Sequence, residues 1–208
     1  MKVIAQSWEW VQKPVTPLEI IEKAGRTCYK SEGKIGPGSA EKFVKMVVER
    51  GHETVIEHAV VSVRFITNRG VTHELVRHRL SSFSQESTRY IRYKGGMEFV
   101  KPVWWDAWSQ EERDAWEDAM RRAESTYKFL LEHGSRPEQA REVLPNSLKT
   151  EIVMTANLRE WKNVFNLRCD RSAHPQIRFL MLDCLKGFTK EIPVIFDDLD
   201  KRYLTGSK

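Results

Sequence analysis

The sequence predicts a helix-rich α+β fold with a small, mostly antiparallel sheet, spanning residues 1–208 as one domain. Three observations predict it. Several stretches repeat apolar residues at the three- and four-residue spacing of an amphipathic helix. Two shorter stretches alternate apolar and polar positions, as a half-buried strand does. The 208 residues contain no repeat, low-complexity tract or linker, and their number is that of a single domain.

The elements follow in order. Thr16-Pro17-Leu18-Glu19 reads as a capping box with proline at the first helical position. Leu18, Ile21, Ala24 and Cys28 then recur at helical spacing, which predicts a helix from Pro17 to Tyr29. The glycine-rich stretch from Ser31 to Gly38 is a loop. A second helix follows, with Phe43, Val44, Val47 and Val48 inward and Gly51 as its stop. From Ala59 to Ile66, Val61, Val63 and Phe65 alternate with Ser62 and Arg64, which predicts a strand. Ser109-Gln110-Glu111-Glu112 is a second capping box, opening a long helix that Gly134 ends. Ser135 is the expected cap of a short helix that Pro145 closes. Thr150 to Ala156 predicts another strand, and Asn157 to Leu167 a helix with Trp161, Val164 and Phe165 buried. A last helix begins near Pro175, with Ile177, Leu180, Met181, Cys184, Leu185 and Phe188 on one face.

Composition narrows the class. Forty per cent hydrophobic residues, with seven Trp and nine Phe, suffice for a packed core and exclude global disorder. The 34 basic and 29 acidic residues leave a net charge of +5, which suits anionic small molecules as well as nucleic acid. Cys28, Cys169 and Cys184 lie far apart and are odd in number, so they are read as reduced, buried thiols of a cytoplasmic protein. MKVIAQSWEW lacks the apolar core of a signal peptide, and no stretch approaches the ~20 apolar residues of a membrane span.

Polar residues crowd three segments beyond what a scaffold needs. The first is His52 to His58. The second, Arg77 to Arg89, holds three arginines, one histidine and four serines in 13 residues, with only Glu86 opposing the cations. Guanidinium forks bind phosphate and carboxylate, and serine hydroxyls fill remaining acceptor sites, so this segment reads as a ligand site rather than a solvated face. The third joins Arg141 with Asn157 to Arg168. His52 and His58, or His73 and His78, lack the spacing that sets two metal ligands on one helical face, so no metal site is expected. Gly33, Gly36 and Gly38 form neither dinucleotide nor phosphate-loop fingerprint.

Arg77-His78-Arg79, seven residues, then Ser87 matches the RHR-x7-S signature, and on it the sequence resembles the flavin-dependent thymidylate synthases (ThyX family). The resemblance extends to His52-Glu53-Thr54 and Glu57-His58. It also takes in Arg141 to Pro145 and Asn157 through Asn163 to Arg168, so it covers about residues 15 to 195. It implies the fold of that family, FAD as cofactor, NADPH and 5,10-methylenetetrahydrofolate as co-substrates, and reductive methylation of dUMP to dTMP. It further implies a homotetramer with shared active sites.

Carried over residue by residue, the resemblance implies FAD contacts at Thr54, Arg77, His78, Arg79, Gln85, Asn157, Leu158, Arg159 and Asn163. It implies dUMP contacts at Glu74, Arg77, Gln85, Glu86, Ser87, Thr88, Arg89, Arg141 and Arg168. Gln85 stands where the family commonly has glutamate, and Glu74 where it commonly has glutamine.

The candidate catalytic residues are Arg168, Ser87 and His52. Arg168 is expected to stabilise charge developing on the uracil, and Ser87 to position the nucleotide. His52 and His78 are expected to contact flavin and folate. The alternative synthase chemistry adds a cysteine to uracil C6, usually from a Pro-Cys dipeptide, and no Pro-Cys occurs here. A rival reading takes Arg89-Tyr90-Ile91-Arg92-Tyr93-Lys94 as an RNA-stacking segment. No recognised nucleic-acid module accompanies it, so no specific nucleic acid partner is expected.

Overall fold

The computed structural model describes residues 1–93 and 95–206. Two short strands, β1 (Lys2–Ile4) and β2 (Ser7–Gln12), precede helices α1 (Pro17–Thr27) and α2 (Ser39–Glu49). A 3-10 segment (Glu53–His58) leads into β3 (Val60–Asn68), α3 (Arg69–Leu75), β4 (Ser81–Gln85) and β5 (Glu98–Val100). Then come α4 (Gln110–Glu132), α5 (Pro137–Ala140), β6 (Lys149–Asn157), α6 (Leu158–Arg168), α7 (Pro175–Glu191) and α8 (Pro193–Asp200). The fold is the expected helix-rich α+β arrangement with a small antiparallel sheet, whose strand order is β2-β3-β6-β4. The separate β1–β5 pair is parallel, with Lys2 opposite Glu98.

The described chain forms two compact units, each discontinuous in sequence. The first comprises Met1–Trp8, Arg64–Arg77 and Phe83–Val153. The second comprises Glu9–Val63, His78–Ser82 and Met154–Lys208. The core of the first gathers Met97, Phe99, Met120, Tyr127, Ala140 and Leu148, with Trp116 and Leu130 of α4 packed beside them. The second is built on aromatics. Phe188 of α7 lies 4.9 Å from Trp161, 5.0 Å from Phe165 and 5.2 Å from Phe196, between ring centroids. Such tilted and edge-on contacts add to the apolar burial of each ring.

Both predicted strands are present and slightly longer than expected. Phe65, Thr67, Ile152 and Met154 alternate into the interior, but Ser62 is buried too, its hydroxyl 2.7 Å from that of Thr155. The Ser109 capping box forms as the sequence predicts.

The Thr16 box does not form. Thr16 has φ 44, and its side chain makes no cap bond, because a hydroxyl caps from extended backbone. Ser135 is likewise not a cap. Its N–H donates to Leu130 O at 2.9 Å and that of Gly134 to Leu131 O at 3.2 Å, which closes α4 around the positive φ of Gly134. Arg136 takes the cap position of α5, its N–H donating to Gln139 Oε1. α7 is not the last helix either: α8 follows, with Pro193 in its first turn. Cys28 falls beyond the last turn of α1 and is exposed, while Cys169 and Cys184 are buried as expected. The four strands β1, β2, β4 and β5 and helix α3 were not foreseen, being too short for a periodic signal.

Helix α1 lies against α2 at Gly25, where a Cβ would stand 2.6 Å from two ring carbons of Phe43. Alanine favours a helix interior over glycine by about 1 kcal/mol, but overpacking costs about 1–3 kcal/mol. Gly25→Ala is therefore expected to lower stability in urea unfolding. A variant at least as stable as the parent would show that the Phe43 ring yields.

Candidate functional site

In the second unit, α6 sets the site. Asn157 caps it, its Oδ1 accepting from Glu160 N at 2.9 Å, and Leu158 N donates to Ala59 O at 3.0 Å. Trp161 is fully buried and donates from Nε1 to Val61 O at 3.2 Å. Asn157, Arg159, Glu160, Lys162, Asn163 and Asn166 then line a cavity of about 460 Å³, opposite Glu53, Glu57 and Leu80. Arg159 meets Glu57 at 2.5 Å and Glu53 at 3.9 Å. Lys162, itself buried, bridges Glu53 at 3.4 Å and Asp198 at 3.2 Å. The cavity thus offers amide donors, cations and carboxylate acceptors together.

At the far end of α6, Arg168 Nε donates to His78 Nε2 at 3.1 Å. The other ring nitrogen, Nδ1, lies 3.4 Å from Glu160 Oε1. Both His78 and Glu160 are buried. Burial, and secondarily the Arg168 charge, lower the His78 pKa to about 4. The imidazole is therefore neutral at working pH and serves Arg168 as an acceptor. Burial raises the Glu160 pKa, against the donation from Asn163.

The first unit carries a separate polar site. Arg69, Thr88, Arg141, Glu142 and Leu144 line a cavity of about 250 Å³. Arg141 Nη1 donates to Thr88 Oγ1 at 3.5 Å. Two guanidinium groups and a hydroxyl facing one small cavity suit a phosphate. Ser87, next in sequence to Thr88, accepts at Oγ from Arg89 N at 3.3 Å, which leaves its hydroxyl proton to donate. Glu86 turns to the protein: Oε1 accepts from the Tyr93 hydroxyl at 2.6 Å and Oε2 from Lys149 at 3.3 Å. Lys149 also pairs with Glu151, and Glu151 with Arg64. Gln85 donates to Thr72 Oγ1 at 3.0 Å and lies 3.4 Å from Thr150 Oγ1.

The remaining expected residues fall as follows. In the second unit His52, Thr54 and Arg79 are exposed, and neither His52 nor Thr54 lines the cavity of α6. Leu158 is wholly buried in the core. In the first unit Arg77 and Arg89 are exposed and Glu74 is half-buried. Among the described residues no side-chain partner faces Arg77 or Arg79, whereas the Arg89 guanidinium lies over the Tyr90 ring. The sequence does not single out Arg69, Glu160 or Lys162. Glu160 completes an Asn-x-x-Glu capping pattern, and Arg69 directly follows β3, but neither pattern by itself marks a site. Of the run read as an RNA-stacking segment, Tyr93 is committed to Glu86, and Lys94 lies outside the described residues. No group of three or more His, Cys, Asp or Glu among the described residues is arranged to hold a metal ion, and no helix is long and apolar enough to cross a membrane.

The chain is thus an α+β protein with two polar cavities, one lined by two arginines and a hydroxyl, the other by amides, cations and carboxylates. The family model described as thymidylate synthase complementing protein matches residues 11–194. A flavin-dependent thymidylate synthase of Geobacter sulfurreducens is 34% identical over 204 residues, covering 94% of this chain and 88% of that protein. One of Mycobacterium tuberculosis H37Rv is 34% identical over 200 residues, covering 87% and 79%. The crystal structure of a UMP/dUMP methylase, PolB from Streptomyces cacaoi, bound with 5-Br dUMP, superimposes with a TM-score of 0.81. It shares 24% identity and is covered over 96% of its length, against 95% of this chain. The chain belongs to the thymidylate synthase complementing protein family, that of the flavin-dependent thymidylate synthases.

The depressed His78 pKa has a consequence for stability. An unfolded chain protonates this histidine as pH falls through 6.5, whereas the folded one resists until about pH 4. Its contribution is complete above pH 6.5 and is lost as pH falls toward 4. Urea unfolding at pH 7.5 and pH 5 is expected to show a larger loss in the parent than in His78→Asn. Equal losses would mean that His78 titrates normally in the fold.

Proposed function

We propose that this chain, acting as one domain over residues 1–208, methylates dUMP reductively to dTMP. The carbon comes from 5,10-methylenetetrahydrofolate and the reducing power from NADPH, with FAD as resident cofactor. The observation that carries the reading is the small cavity of Arg69, Thr88 and Arg141 beside Ser87. It supplies two cations and a hydroxyl for the phosphate of a nucleoside monophosphate, on the segment that bears the family signature. Family membership over residues 11–194 supports the same reaction.

The residues present fit a flavin. In the second unit, Asn157, Asn163 and Arg159 offer donors, and Glu53 and Glu57 offer acceptors, around a cavity of about 460 Å³. Ribityl hydroxyls and the polar edge of the ring need both kinds of partner. Arg79, with no side-chain partner among the described residues, remains to meet a phosphate of the cofactor. Bound FAD would supply the hydride-transfer chemistry that reduction of the transferred carbon requires.

The chain's own residues account for the rest. Making uracil C5 nucleophilic puts negative charge on the ring, and the Arg168 guanidinium is the cation assigned to it. Neutral His78 holds its Nε without taking a proton from the reaction. Ser87 donates its hydroxyl to the nucleotide and is not the nucleophile. A thiol route is disfavoured at the two buried cysteines, while the exposed Cys28 lies at the end of α1 outside the polar segments. Burial pushes the Cys169 thiol up to about 12 and that of Cys184 well above its ordinary value, and thiolate is the reactive form. Three cysteines outside any disulfide also support a cytoplasmic setting.

Purified protein is expected to be yellow and to oxidise NADPH in the presence of dUMP and the folate, forming dTMP. Arg168→Ala should keep the flavin and lose about ten- to a thousandfold in kcat. Unchanged dTMP formation would remove Arg168 from the mechanism, and protein that takes up no FAD would overturn the reading itself.

The active assembly is proposed to be a homotetramer with shared sites, since a 208-residue chain is small beside FAD, dUMP and folate together. Arg168→Ala and Arg79→Ala, each impaired alone, should recover activity after subunit exchange. An active monomer in sedimentation would refute shared sites.

A further inference from the structure

We propose that Glu160 is a positioning residue, which, through His78, sets the direction in which the Arg168 guanidinium faces. The inference rests on the function proposed for Arg168 and adds a residue to it. The three side chains form a line inside the second unit. Glu160 Oε1 lies 3.4 Å from His78 Nδ1, and His78 Nε2 lies 3.1 Å from Arg168 Nε. Glu160 is 5% exposed and His78 4%, while Arg168 is half-buried.

The protons decide its direction. Arginine only donates, so a bond from Arg168 Nε requires His78 Nε2 to be the bare, accepting nitrogen. The single ring proton of neutral His78 must then be on Nδ1. That is the less favoured tautomer of a free histidine side chain, and it needs an acceptor facing Nδ1. Glu160 Oε1, at 3.4 Å, is the carboxylate oxygen that faces Nδ1, a long approach for a hydrogen bond. A ring with its proton on Nε2 would set donor against donor at Arg168 and remove this bond to its Nε.

Glu160 has no evident purpose as a structural ion. Among the described residues no lysine or arginine pairs with it. Its side chain accepts from Asn163 Nδ2 at 3.4 and 3.3 Å and lies 3.4 Å from His78 Nδ1, and its own backbone N–H is bonded to the Asn157 cap. A buried carboxylate without a cation costs stability. The Asn-x-x-Glu pattern would allow its side chain to reach back and complete a capping box in the manner of Glu112 at Ser109. Only the asparagine half is made at α6, and the carboxylate turns to the histidine instead.

The test compares Glu160→Gln, whose amide oxygen still accepts from Nδ1, with Glu160→Met, which keeps the length and removes the acceptor. The first readout is the ring ¹⁵N spectrum of His78 in histidine-labelled protein, assigned by its loss in His78→Asn. The parent and Glu160→Gln should show a protonated Nδ1 and a bare Nε2, and Glu160→Met the reverse. The second readout is the split between kcat and KM for dUMP. Misdirecting a fixed cation should lower kcat about ten- to a hundredfold in Glu160→Met. KM and flavin absorbance should change little, and Glu160→Gln should stay within about threefold of the parent.

A parent protein with the proton on Nε2 overturns the proposal without any variant. So does a folded Glu160→Met with parental tautomer and kcat, or a Glu160→Gln as impaired as Glu160→Met. The tautomer is read without turnover. A parent that forms no dTMP but shows the expected tautomer change therefore refutes the proposed reaction and leaves the relay standing.

Discussion

Helix α6 has one rotational setting, and Trp161 fixes it. The indole is fully buried, its N–H is tied to Val61 O, and its ring lies against Phe165 and Phe188. Rolling the helix would expose that ring and orphan a buried donor, together on the order of 3–5 kcal/mol. Because a helix turns about 100° per residue, holding Trp161 and Phe165 inward also fixes where Asn157, Arg159, Asn163 and Arg168 emerge. The polar wall of the larger cavity is thus a by-product of an apolar decision. The Asn157 cap and the bond from Leu158 N to Ala59 O secure the first turn against slippage along the axis.

The modest net charge of +5 understates how unevenly charge is available. Many ions are spent internally. Lys149 is shared by Glu86 and Glu151, Glu22 takes Arg26 and the Ser39 hydroxyl, and Lys162 bridges Glu53 and Asp198. Others are left to solvent or ligand, Arg77 and Arg79 among them. Attraction for an anion is therefore a local property of the signature segment and not of the chain's overall balance. Glu86 shows the reverse case. It is the lone acid of that segment, yet both its oxygens are occupied, so it braces the backbone beside Ser87 rather than repelling a phosphate.

The long elements were legible because periodicity accumulates with length. Seventeen residues of α7 put six apolar side chains on one face, and all six are buried. The three-residue β1 and β5 have no period to read, and their pairing depends on residues nearly a hundred positions apart. Caps were legible by residue type but not by backbone. Thr16 and Ser109 both begin a box, and the backbone angles of each separate them. Among site residues, the arginines and serines of the signature could be named because their chemistry is crowded there. Arg69, Glu160 and Lys162 could not, because each is an ordinary residue in an ordinary helix until folding sets a cavity or a histidine against it.

The absence of a Pro-Cys dipeptide is a statement about sequence, and the structure gives it a physical counterpart. Cys169 follows Arg168 directly, so the guanidinium proposed to act on the uracil and a thiol stand one residue apart at the end of α6. One step along the helix separates their directions by about 100°. Arg168 points to His78, while Cys169 is buried, its carbonyl held by Arg178 Nε at 3.1 Å. Burial that raises the thiol to about 12 makes the thiolate scarce at neutral pH, even beside so many cations. The same interior that lowers His78 to about 4 thus raises Cys169, since both shifts disfavour charge out of water. Arginine alone keeps its charge under that pressure, because its pKa lies so far above neutrality. The reaction proposed here, which puts negative charge on a ring without a covalent nucleophile, is therefore assigned to a guanidinium, with a neutral imidazole bonded to it.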